Sequence, residues 1–158
     1  VVNLFDQPGF VIGTTGERAG TIRKGARALA AVHQAGVPAV SIFIRRAFGV
    51  AGASHGNSSR LNLRYAWPSA DWGSLPVEGG IEAAYKRDLA ASDDPDALRA
   101  ELLSQFDAVR SPFRTAEAFN IEHIIDPRDT RPILCKWVEQ AYALESTQLG
   151  LRSHGYRP

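Results

Sequence analysis

The sequence predicts an α/β domain, with helices packed on a mostly parallel sheet. Three observations carry this. Residues 1–6, VVNLFD, are β-formers in a half-apolar run. Residues 19–34 repeat apolar side chains at the helical period, with Ile22, Ala26, Leu29, Ala30 and His33 on one expected face. After the break at Gly36-Val37-Pro38, residues 39–44, AVSIFI, form a second apolar β run. A strand–helix–strand order of this length implies a right-handed crossover and parallel pairing.

The remaining elements follow in order. Residues 7–16, QPGFVIGTTG, read as a glycine-punctuated loop between the first strand and helix. Residues 63–68, LRYAWP, read as a short strand closed by Pro68, and 70–74, ADWGS, as its extension or a turn. A helix is expected over 78–91. Asp94-Pro95 gives an N-cap with proline at the first helical position, opening a helix through about residue 109. Residues 111–120 suit a short helix and 121–126, IEHIID, a late strand. Asp126-Pro127 repeats the cap-plus-proline signal before a C-terminal helix to about residue 145. The domain is expected over 1–146, with 147–158 a frayed, positively charged tail.

Composition bounds the function. With 158 residues and 44% hydrophobic side chains, the chain can bury one core. No apolar run is long enough for a membrane helix, so no membrane role is expected. A net charge of +1 argues against nucleic acid as a partner. The chain has no Met and opens directly on a strand, which suggests a piece of a longer polypeptide without a secretory signal. One cysteine, Cys135, excludes an internal disulfide framework and fits a reducing cytoplasm. It is expected as a small buried residue on the last helix. His55, His123 and His154 have no metal-ligand spacing, so no metal is expected.

One stretch stands apart. In residues 41–54, SIFIRRAFGVAGAS, a core strand gives way to two arginines, an aromatic and then almost no side chains: Gly49, Val50, Ala51, Gly52, Ala53, Ser54. Small residues at a strand-to-helix turn let a ligand, or another part of the fold, approach the backbone closely.

Five stretches in one order bear on that choice: FDQPGF (5–10), GERAGTIRKGARAL (16–29), IRRAFGVAGA (44–53), YAWPSADWGSLPVEGG (65–80) and IEHIIDPRDTRP (121–132). Together they resemble the C-terminal half of the carboxyltransferase (β) subunit of biotin-dependent acyl-CoA carboxylases of the acetyl-CoA and propionyl-CoA type. That family reads D-x-P-G-F, E-x-G-G-I-I-R-x-G-A-K, R-K-A-Y-G-G-A, A-W-P-x-A with M-G-x-E-G-A, and V-I-D-P-R-x-T-R. The resemblance runs over residues 1–138. It implies a crotonase-like fold, a spiral of β-β-α turns. It also implies transfer of a carboxyl group from carboxybiotin, borne on a carrier protein, to an acyl-CoA. Implied partners are an N-terminal carboxyltransferase domain holding the acyl-CoA, the biotin carboxyl carrier with its biotin carboxylase, and further copies in a homo-oligomer.

The resemblance also assigns residues. Aligning R-K-A-Y-G-G-A with 45–51 places backbone donors for the biotin oxygen on Val50 and Ala51, with Gly49 opening the turn. Stabilising an enolate oxygen requires donors fixed in advance, and N–H groups at a helix N-terminus supply them without a side-chain base. Phe48, Gly52 and Ala53 would flank the biotin, and a shifted reading makes Gly52 and Ala53 the donors. Gly9, Phe10 and Gly13 would border the biotin entrance, or form an ordinary turn. The chain departs from the pattern at Val50, which replaces a glycine, and at Pro76, which lacks the N–H of the family's glycine. The same half-reaction run backwards, in a biotin-dependent acyl-CoA decarboxylase, is the alternative, and a non-catalytic paralogue serving assembly is another.

Other residues keep two readings. Arg45 and Arg46 either steer an acidic carrier or a CoA phosphate, or are simply solvated. Arg23 and Arg27 are expected at the surface. Trp67 suits core packing better than a stacking platform, and His33 packing better than metal binding. Gly79-Gly80 either faces an anion or serves as a C-cap or packing glycine pair.

Overall fold

A computed structural model describes residues 1–53, 60–73 and 77–150. The sheet comprises β1 (Val2–Gln7), β2 (Ala39–Phe48), β3 (Asn62–Ala66), β4 (Asp71–Gly73) and β5 (His123–Ile124). Its order is β1-β2-β3-β5, with β4 paired beside the far end of β2, and every pairing is parallel. The predicted crossover is present as α1 (Thr14–Arg18) and α2 (Thr21–Gln34) between β1 and β2. Then come α3 (Gly49–Ala53), α4 (Val77–Ala84), α5 (Lys86–Ala91), α6 (Pro95–Arg110), α7 (Pro112–Glu117) and α8 (Thr130–Gln148).

Strand alternation sorts β2 into two faces. Phe43 and Ala47 join Phe5, Ala66, Ala70 and Ile121 on one, where Phe5 stacks on Phe43 and Phe43 meets Trp72, each at 4.8 Å between ring centroids. Val40 and Ile42 face the other way, against Ile125 and Trp137 with Ile133, Leu134 and Ala141 of α8. Trp67 packs into this second layer, and its indole N–H donates to Thr130 Oγ1 at 2.9 Å, so it serves the core as expected. Ile81, Leu89 and Leu102 form a third cluster under α4, α5 and α6.

The capping signals hold. Asp94 accepts from Ala97 N–H at 2.9 Å and Asp126 from Arg128 N–H at 2.8 Å. Several expectations need correction. β2 continues past residue 44 to Phe48, since β4 supplies a partner there. The helix expected over 78–91 breaks at Tyr85, whose φ of −110° and ψ of 20° lie outside the helical well. The last helix runs to Gln148, whose side chain accepts from Leu61 N–H at 3.1 Å, and the rest of the tail, 151–158, lies outside the described residues. Cys135 is exposed, not buried: Trp137 faces the core, and two positions along a helix of 3.6 residues per turn is nearly the opposite side. The expected face of α2 is met only in part. Leu29 and Ala30 are half-buried as expected, but Ile22, Ala26 and His33 are exposed, and Thr21, Gly25 and Val32 are half-buried in their stead. Phe10 sets it: a Cβ on Gly25 would lie 2.4 Å from the Phe10 ring, so only glycine lets the ring lie there. Arg23 and Arg27 are exposed, as expected. No helix among the described residues is long and apolar enough to cross a membrane.

Candidate functional site

The C-terminal end of β2 delivers the chain to a cleft of about 610 Å³. Its floor is the β2–α3 turn: Phe48, Gly49, Val50 and Ala51. One wall is the loop after β1 with Pro8, Gly9, Phe10 and Ile12, joined by Ile22 of α2. The other is the small-residue face of α4, Gly79, Gly80, Ala83 and Ala84. Six of the nine residues singled out in the sequence thus converge: Gly9, Phe10, Phe48, Gly49, Val50 and Ala51. Gly79 and Gly80 join them in lining the cleft.

The other three lie beside it. Gly13 is the residue before α1, with φ 91°. Gly52 packs against β2: a Cβ there would lie 2.3 Å from the carbonyl carbon of Ala47. Ala53 ends α3, and its side chain lies outside the described residues, as do Pro76, His55 and His154. The glycines of the stretch therefore divide their work. Gly49, at φ 60°, turns the chain through a left-handed conformation from strand into helix, and Gly52 lets that helix lie directly on the strand.

Phe48 is 2% exposed and Val50 65%, so the turn buries its aromatic and offers its branched side chain outward. Helix N-termini favour negative charge through their N–H groups and dipole. The first turn of α3 lies on the floor of the cleft.

Two ion-pair clusters hold this end of β2, and neither is visible in sequence patterns. The β1–β2 register shifts between Phe5 and Gln7, bringing Asp6 opposite two arginines. Arg45 donates to Asp6 Oδ2 from Nε at 3.1 Å and Nη2 at 2.6 Å. Arg46 donates to Oδ1 from its backbone N–H at 3.3 Å and Nε at 3.1 Å. Arg45 and then Arg46 hold the Asp6 carboxyl well below the usual carboxylate range. The two arginines thus share one carboxylate, while the Arg45 side chain stays 60% exposed. On the far side, Arg110 of α6 grips Asp71 of β4, and this pairing raises the affinity of its guanidinium for its proton.

A parallel sheet feeding a glycine turn and a cleft at its carboxyl ends defines an α/β domain of the kind that binds ligands beyond its strand ends. Comparison narrows the class to crotonase-like carboxyltransferase folds. Against the transcarboxylase 12S crystal structure, with methylmalonyl-coenzyme A and methylmalonic acid bound, the TM-score is 0.74 at 32% identity, covering 99% of this chain and 30% of that one. The carboxyl transferase domain family matches residues 1–156, and the chain belongs to that family. Curated relatives include the methylmalonyl-CoA carboxyltransferase 12S subunit of Propionibacterium freudenreichii subsp. shermanii, 34% identical over an alignment of 160 positions that covers 100% of this chain and 30% of the relative. The propionyl-CoA carboxylase carboxyltransferase subunit of Haloferax mediterranei is 35% identical over 135 residues, 83% of this chain and 26% of the relative. The methylmalonyl-CoA decarboxylase subunit alpha of Veillonella parvula is 32% identical over 133 residues, 84% of this chain and 25% of the relative. The chain thus spans under a third of the length of these relatives.

Proposed function

We propose that this domain supplies the biotin side of an acyl-CoA carboxyltransferase. The observation that carries the proposal is the convergence of the β1 loop, the β2–α3 turn and α4 on one cleft, in a chain of the carboxyl transferase family. The residues fit the group. Phe10, Ile12 and Ile22 offer apolar surface to a bicyclic ring, and a Cβ at Gly9 or Gly79 would meet nothing within 4 Å, so both approaches are open. Biotin, tethered to a carrier, brings the carboxyl group and a ureido oxygen that gains negative charge when the carboxyl leaves. The backbone N–H groups of Val50 and Ala51 are the donors assigned to that oxygen, aided by the α3 dipole. No side chain of this domain is assigned a proton; the small residues around the turn exclude bulk and admit the ring.

The acyl-CoA would be held by the N-terminal carboxyltransferase half of a facing protomer, and the carrier with its biotin carboxylase would complete a homo-oligomeric assembly. A reducing compartment such as the cytoplasm suits the exposed Cys135 thiol. The decarboxylase alpha subunit among the relatives favours one second reading, the same half-reaction in the opposite direction.

Titration of the full-length enzyme with free biotin, in carboxyl transfer from an acyl-CoA carboxylate, tests the proposal. Saturable transfer that is lost on Ala51→Pro supports it. A folded protein that neither binds biotin nor transfers the carboxyl group would show a paralogue serving assembly alone.

A further inference from the structure

The strand end that carries Phe48 into the cleft is gripped from outside by a residue no sequence pattern marks. Arg110 closes α6, and its guanidinium forks onto Asp71 of β4: Nε donates to Oδ1 at 2.7 Å and Nη2 to Oδ2. Nη1 donates to Asp107, one turn earlier, at 3.0 Å. All three nitrogens are therefore committed, and the plane of the group is fixed. Its central carbon lies 5.9 Å from the centroid of the Phe48 ring, within cation–π range. Phe48 is buried, and it is the last strand residue before Gly49. The ladder closes the circuit. Arg46, Ala47 and Phe48 lie in parallel register with Asp71, Trp72 and Gly73, so the carboxylate that aims the guanidinium and the ring that receives it hang on one pair of strands.

We propose that Arg110 is a positioning residue for carboxyl transfer: anchored by Asp71 and Asp107, its guanidinium fixes the Phe48 ring and, through it, the start of the turn at residues 49–51. The inference rests on the biotin-side reading of the cleft. Arg110 itself touches no substrate; it acts through the ring. Lysine cannot reproduce the arrangement, since a point charge has no fork with which to hold Asp71 while facing the ring.

The experiment uses the full-length enzyme. Arg110→Leu is expected to raise the KM for free biotin about tenfold, as losing a half-buried cation–π contact together with its anchor would. The KM for acyl-CoA should stay at the wild-type value. Phe48→Leu removes the ring, and on that background Arg110→Leu should change the biotin KM by no more than about twofold, because the contact is already gone. Arg110→Lys should fall between wild type and Arg110→Leu. If Arg110 merely ties α6 to β4, the melting temperature falls while the biotin KM stays put, or the two substitutions multiply; either result overturns the proposal. Hydrogen exchange read by mass spectrometry is independent of biotin. Arg110→Leu should accelerate exchange at residues 49–52 and leave α8 unchanged, and unaltered exchange at 49–52 would also overturn it. A wild-type enzyme that does not turn over biotin refutes the reading of the cleft instead, and the exchange data still decide the role of Arg110.

Discussion

Gly49 and Gly52 bracket two residues of backbone for different reasons, and that difference is testable. Gly52 has no room for a Cβ against Ala47, and its neighbours there are backbone atoms that cannot rotate away. Gly52→Ala should therefore cost about 1–3 kcal/mol by overpacking, read as a lowered midpoint in urea. Between the glycines, Val50 and Ala51 are assigned backbone roles, so their side chains contribute bulk alone. Val50→Gly should preserve or raise carboxyl transfer in the full-length enzyme, since it clears the mouth of the turn. Ala51→Pro removes one donor and should lower kcat by about 10²–10³. Proline is tolerated in a first helical turn, but Ala51 is buried, so circular dichroism should accompany the kinetics. A folded Ala51→Pro enzyme with wild-type kcat would leave the turn a packing device.

At the scale of elements, β2 is the organising strand, because β1, β3 and β4 all pair with it. The sequence signals strand clearly over its first half, where AVSIFI is a nearly unbroken run of apolar residues suited to burial on both faces. The second half is obscured by Arg45 and Arg46, which read as a solvated end until Asp6 is known to lie opposite them. That partner is set by a bulge in β2 itself, where the four steps from Phe43 to Ala47 match two of β1, and a bulge leaves no periodic mark. The cluster has a pH signature. Because the folded-state pKa of Asp6 is depressed, its contribution to stability is complete above the ordinary carboxylate range near pH 4 and declines as the pH falls below it. Asp6→Asn should accordingly be less stable than wild type at pH 7, and the gap should narrow as the pH is lowered towards 3. A gap in the chemical-denaturation midpoints that is constant with pH would assign the loss to packing.

For the whole molecule, the α/β class and the parallel crossover were legible because strand and helix periods are local and strong. The cleft floor was legible because an unusual run of small residues coincides with a family motif. Arg110, Asp71 and Phe48 were not, since three positions far apart in the chain meet only through tertiary structure. The face of α2 was legible only in part, for a related reason: Leu29 and Ala30 turn inward as read, but Phe10, packed on Gly25, takes the place expected for Ile22 and Ala26. Leu4, Ile12, Ile22, Val138 and Tyr142 are left exposed, as surfaces that another domain or copy would cover. The isolated domain is expected to self-associate, seen as dimers or larger species in sedimentation velocity. It should also fail to carboxylate or decarboxylate acyl-CoA with free biotin, because the acyl-CoA half of the site is assigned to another domain. Steady turnover by the isolated domain would refute that division of labour.

The looseness of α2 has a consequence for how the protein comes apart. None of its residues is buried, and Ile22 is 60% exposed. An element with so little buried apolar surface opens at a small fraction of the global unfolding free energy. Trypsin should therefore cut at Arg23, Lys24 and Arg27 well before it reaches Arg131 and Lys136 in α8, which is anchored by the buried Trp137. The first nick would sever the wall that carries Ile22 while the sheet survives. Limited digestion would then yield a domain that keeps its fold and has lost one side of its cleft, separating the stability of the scaffold from the integrity of the site.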